Sequence, residues 1–139
     1  MDPRQILYPM AALAMLTFMV LLLVPRARFK AARNRQVTVK DFRYGESANV
    51  PGEVSIPNRN LINLLEMPVL FYVACLTLFV TRSADHLFVY LAWAYFALRL
   101  GHSLVHLTYN NVMHRLSVFT ASNIVLAIIW VRLIAILSR

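Results

Sequence analysis

Acidic charge is scarce in this chain, as are the residues that build loop-rich or disulfide-stapled scaffolds. Among 139 residues there are six acidic side chains, three glycines and one cysteine. The lone Cys75 lies in an apolar run, which excludes an intramolecular disulfide and reads as a small packing residue. No glycine-rich phosphate loop, nucleophile elbow or soluble repeat is visible. Charged residues make up only 14% of the chain and hydrophobic ones 60%, far from the balance of a soluble domain. The chain therefore reads as one membrane domain, residues 1–139, with almost nothing left for an extramembrane domain.

Four apolar segments carry that reading: residues 6–24, 57–80, 86–109 and 116–137. Each is close to the ~20 residues a helix needs to cross ~30 Å of hydrocarbon, which predicts an all-α bundle of four transmembrane helices. Pro25 is expected to end the first helix, and Pro57-Asn58 to begin the second, with Asn58 as its cap. Pro68 frees the carbonyl of Leu64 and predicts a kink just beyond Glu66. Residues 82–85 can only be a tight turn, and residues 110–115 a second one. The first segment resembles a signal peptide in length alone. Its basic residues follow the apolar core and no small-x-small cleavage site is present, so it reads as a retained anchor.

A net charge of +8 raises nucleic acid as a partner, and the position of the charge argues against it. Arg26, Arg28, Lys30, Arg33, Arg35, Lys40 and Arg43 all fall in the loop 25–56. They lack aromatic interleaving and lie against the membrane, so no nucleic-acid role is expected. The asymmetry is the positive-inside signature, which places this loop in the cytoplasm and both termini outside it. The loop is expected to carry helical character at its start, and to act as a topology determinant in contact with anionic lipid.

The chemistry lies elsewhere. In the stretch YFALRLGHSLVHLTYNNVMHR, Arg99, His102 and His106 recur at spacings of three and four and share one helical face, which Tyr95 and Asn110 extend. Arg59, Asn63 and Glu66 do the same on the second helix. Ionisable groups at bilayer depth are costly and mark a site by default. Counting inward from Pro57 and Asn110 at 1.5 Å per residue puts Glu66 and Arg99 both roughly 14 to 16 Å deep, which predicts a structural ion pair between them. The same count brings Asn63 near His102, and Arg59 near His106 and Arg115. The result is one polar seam open at the loop side. His102 and His106 have the i, i+4 spacing of a metal pair, but no carboxylate or cysteine completes a set and Arg99 repels a cation, so no metal is expected. Arg132, in the last helix, is expected to snorkel to the outer headgroups.

Taken together, Arg59-x-x-x-Asn63-x-x-Glu66 with Pro68, then Arg99-x-x-His102, then Arg115 sixteen residues after Arg99, resemble the MAPEG family, membrane-associated proteins in eicosanoid and glutathione metabolism. The resemblance implies a homotrimer binding glutathione as co-substrate between neighbouring subunits at the cytoplasmic side. It carries glutathione binding to Arg59, Asn63 and Glu66, with His102 and His106 in the same seam, and the catalytic, thiolate-stabilising arginine to Arg115. Leu61 and Ile62 stand where members often carry polar or basic side chains, and His106 replaces a tyrosine. The long basic insert before the second helix resembles a bacterial branch, hence a bacterial inner membrane.

The function this implies is a glutathione-dependent transferase or peroxidase acting on lipophilic electrophiles or lipid hydroperoxides. Two alternatives from other classes use the same residues. One is a non-catalytic protein that holds a lipid or a partner in the seam, and the other a structural subunit whose seam fixes helix register.

Overall fold

The computed structural model describes residues 2–138. After a 3-10 turn, Pro3–Ile6, come five helices: α1 (Leu7–Arg33), α2 (Gly52–Leu65), α3 (Pro68–Val80), α4 (His86–Leu107) and α5 (Val112–Leu137). The second and third stack end to end across a break at Glu66 and Met67, so the fold is four helical columns, each long and apolar enough to cross a membrane. No β-strand occurs among the described residues.

The columns meet through regular stripes. On α1 the buried positions are Pro9, Leu13, Leu16, Val20 and Val24, and on α5 they are Ser122, Leu126, Ile129 and Leu133. Steps of three and four keep each set on one face. The opposite faces, with Phe18, Leu22, Ile128 and Val131, stay exposed, as lipid contact requires. Phe71 of α3 stacks on Tyr95 of α4 with centroids 4.5 Å apart, both fully buried in the centre of the bundle. α1 packs along α2 and α4 along α5. The basic loop, the start of α2, the end of α4 and the start of α5 therefore share one end of the bundle, called the basic end below.

Three boundaries differ from the sequence expectation. α1 does not stop at Pro25 but runs two turns beyond it to Arg33, with Pro25 inside the helix on its exposed side. Lys30 and Arg33 then sit in the last turn, where cations complement the helix dipole. α2 begins at Gly52 rather than at Pro57, whose missing N–H frees only the carbonyl of the exposed Glu53. α5 begins at Val112, capped by Asn111, whose side chain accepts from the N–H groups of Met113 at 3.0 Å and His114 at 3.1 Å.

The stretch between α1 and α2 is folded rather than loose. Asp41 closes a capping box with Thr38 and accepts the Ser47 hydroxyl at 2.8 Å. These bonds, the Thr38 backbone N–H first, hold its carboxyl below the usual carboxylate range. Arg28 pairs with Glu46 at 3.1 Å and lies 4.6 Å from the centre of the Phe42 ring, pinning the loop to α1. Ala31, Val37 and Val50 form a small apolar core beneath. Gly45 takes φ +101° at the tip, a conformation that L side chains rarely adopt.

At the opposite end, Asp85 caps α4 by accepting the Phe88 N–H at 3.0 Å, and its two oxygens take Arg132 of α5 at 2.7 and 2.5 Å. Arg132 also covers the Phe88 ring at 4.3 Å. It does not snorkel freely, because a carboxylate lies within reach at the turn before α4. The Arg132 guanidinium holds the Asp85 carboxyl down at about 2.

Candidate functional site

The site begins with the break between α2 and α3. Pro68 has no N–H and sits at the first position of α3, and the backbone ladder of α2 ends with the Glu66 N–H on the Ile62 carbonyl at 3.1 Å. The carbonyl of Asn63 is thereby released from helical pairing. Arg99, fully buried on the inner stripe of α4, donates to it through Nη2. A guanidinium at this depth needs strong acceptors, and a freed carbonyl dipole supplies one.

This corrects the expected ion pair between Glu66 and Arg99. No salt bridge joins them within the chain, and Glu66 is exposed. The break explains why: Glu66 leaves helical geometry at φ −82° and ψ −93°, so its side chain no longer continues the stripe of Arg59 and Asn63. Arg99 thus meets α2 close to the expected level, through the Asn63 carbonyl rather than the Glu66 carboxylate.

Phe119, on α5, completes the inner surround. Arg99 lies 5.6 Å from its ring centre, and the His102 ring 5.7 Å from it at a 50° tilt. Above this layer Asn63, His102, Val112, Arg115, Leu116 and Phe119 line a cavity of about 230 Å³. Three of the expected site residues, Asn63, His102 and Arg115, thus meet from three different helices. Arg115 is half-buried in the first turn of α5, and its Nη1 donates to Asn110 Oδ1 at 2.7 Å. Asn110 adopts φ +46°, which asparagine tolerates better than most residues, so it holds both the turn and the guanidinium.

The remaining expected residues lie around that cavity without lining it. Arg59 is exposed, and its backbone carbonyl accepts the Asn63 side-chain amide at 2.9 Å. His106 is buried one turn from His102, ring centroids 5.7 Å apart and edge-on. Nδ1 of both imidazoles, Nε and Nη1 of Arg99 and the Tyr95 hydroxyl are buried without a hydrogen-bond partner among the described residues. Among the described residues no three His, Cys, Asp or Glu side chains converge as metal ligands. One contact escaped the sequence reading altogether: Asn60 Oδ1 accepts the Ser103 hydroxyl at 3.2 Å, tying α2 to α4 in full burial. Its signal was the buried spacing of Asn60 with Leu64, one residue off the charged stripe.

The arrangement puts the Arg115 guanidinium on the cavity and Arg99 beneath it, neither in a salt bridge among the described residues, a setting suited to an anionic ligand and to stabilising a developing anion. A family model described as MAPEG family matches residues 6–135 of the chain. Neither curated proteins nor solved structures give a significant match. The chain belongs to the MAPEG family, an integral membrane family whose members include glutathione transferases and peroxidases.

Proposed function

We propose that this protein is a trimeric, glutathione-dependent transferase or peroxidase that acts on lipophilic electrophiles or lipid hydroperoxides from within a bacterial inner membrane. The observation that carries the reading is the convergence of Asn63, His102 and Arg115 on one cavity at the basic end. Arg59 and Glu66 are exposed beside it, as a site shared with a neighbouring subunit requires. Glutathione is anionic with one ammonium group, so Arg59 and Asn63 would hold its carboxylate end and Glu66 its amine, with His102 and His106 behind.

Arg115 carries the chemistry in this reading. A free thiol has a pKa of about 8.5 and is a weak nucleophile near neutrality, and an adjacent guanidinium stabilises the thiolate. The sulfur then forms a bond to the electrophilic carbon while the leaving group departs with the electron pair. With a hydroperoxide it attacks the terminal oxygen and releases the alcohol, and a second thiol reduces the sulfenate to disulfide and water. The basic loop faces the cytoplasm in this scheme, where the thiol is reduced. Titrating glutathione into the detergent-solubilised protein tests the proposal: saturable binding at millimolar concentration or below, with thiolate absorbance, is expected. Absence of binding there overturns it and favours a lipid or partner in the same seam.

A further inference from the structure

A second cavity of about 490 Å³ opens at the basic end between α1, the start of α2 and the end of α4, and shares no residue with the first. Its walls divide by chemistry. Leu23, Ile56 and Leu107 form an apolar side, and Arg26, Lys30 and Glu53 the charged side. Arg26 and Lys30 are one helical turn apart on α1, and both are exposed. Neither they nor Glu53 forms an ion pair among the described residues, whereas Arg28 between them is tied to Glu46 and Phe42. The passage of α1 beyond Pro25 is what puts these cations over the groove. From Leu23 to Lys30 the helix rises about 10 Å at 1.5 Å per residue, the step from upper acyl carbons to the phosphate layer of a bilayer.

We propose that this notch binds a phospholipid through a phosphoethanolamine headgroup. Arg26 and Lys30 take the phosphate, Glu53 takes the ammonium, and Leu23, Ile56 and Leu107 cover the first acyl carbons. Two cations alone would select any phospholipid. The carboxylate among them repels a headgroup that carries only negative charge, such as glycerol phosphate. A choline headgroup satisfies the charge but cannot donate a hydrogen bond to Glu53. Free phosphate lacks the chain that the apolar side requires.

The test is native mass spectrometry of the full-length protein, delipidated in detergent and titrated separately with short-chain phosphatidylethanolamine, phosphatidylglycerol, phosphatidylcholine and inorganic phosphate. Saturable binding of phosphatidylethanolamine is expected, with about tenfold preference over the other lipids, one well-placed charge contact being of that order. Arg26→Gln with Lys30→Gln should remove the binding, and Lys30→Gln alone should weaken it. Glu53→Gln should keep the binding and lose the preference over phosphatidylglycerol. All three side chains are exposed, so the variants should melt with the parent. Equal affinity for the three lipids, binding unchanged in the double variant, or inorganic phosphate binding as tightly as the lipid would each overturn the proposal.

Discussion

Apart from the Arg28–Glu46 pair that pins the basic loop, the two ends of the bundle treat charge in opposite ways. At the far end Asp85 and Arg132 satisfy each other through two hydrogen bonds, the carboxylate caps α4 and the guanidinium covers Phe88. At the basic end Arg99 has one backbone carbonyl, Arg115 one asparagine oxygen, and Arg59 and Glu66 stand exposed without ion pairs among the described residues. A side chain whose partners lie within the fold is serving the fold. Cations held in place by neutral acceptors keep their charge available, which is why the basic end reads as a site and the far end as a latch. Substitutions at the two ends should accordingly move different quantities: turnover at one, stability at the other.

The largest effect is expected at Arg115. Removing the charge that stabilises a developing anion commonly costs on the order of 100-fold in rate, about 2.7 kcal/mol of barrier. In the proposed glutathione-dependent reaction, Arg115→Ala should lower turnover by that order and abolish the thiolate absorbance of bound glutathione. Its side-chain hydrogen bond is to Asn110 in the turn before α5, so melting in detergent should change little. A large drop in melting temperature with normal thiolate absorbance would make Arg115 a latch as well, and the contrast between the ends would fail.

The far end should show the converse. Asp85→Ala removes a helix cap and an ion pair together, and a loss of about 1 to 2 kcal/mol is expected from the cap alone. The pair adds less, since both partners are partly exposed and screened. Turnover should be untouched. Asp85→Asn separates the contributions because asparagine still caps, leaving a deficit of under about 1 kcal/mol for the charge. That deficit has a defined pH window. The folded carboxyl titrates at about 2, below its ordinary value of 3.8, so the stabilisation is complete above 3.8 and disappears as pH falls toward 2. Melting curves of parent and Asp85→Asn should therefore converge on acidification through that range, and parallel curves would mean that the ion pair contributes nothing.

How much of this the sequence revealed depended on whether the cause was local. Apolar segment length fixed the four columns, and the i, i+3, i+4 rule put Arg99, His102 and His106 on the buried face of α4, where they lie. Pro68 broke its helix as expected because at bilayer depth its missing N–H has no solvent to compensate it. Pro25 and Pro57 did not, and both stand inside continuous helices, so proline alone does not decide where a helix ends. The late placement of α5 hid Phe119, which falls one turn after Arg115 once Asn111 is recognised as the cap. The bond from Ser47 to Asp41 and the pairing of Arg132 with Asp85 across 47 positions depend on contacts that no local pattern encodes, whereas Thr38-x-x-Asp41 carries the local signature of a capping box.

The smallest expected effect on stability, at Glu66, sharpens the comparison most. Had the carboxylate been half of a buried pair with Arg99, Glu66→Gln would leave an uncompensated cation at bilayer depth and cost about 3 to 5 kcal/mol. Instead Arg99 already has its acceptor in the Asn63 carbonyl, and the break at Glu66 turns the carboxylate to the exposed side. Exposed substitutions away from caps and cores usually change stability by less than about 0.5 kcal/mol, so Glu66→Gln should melt with the parent when no ligand is present. Its glutathione affinity, in the proposed function, should nevertheless fall about tenfold, since an ion pair with the ammonium group becomes a hydrogen bond to an uncharged amide. Calorimetry with and without glutathione separates the two quantities on one sample. A ligand-free loss of several kcal/mol would mean that Glu66 reaches Arg99, in the proposed trimer across a subunit boundary, and the polar seam would then contain a latch of its own.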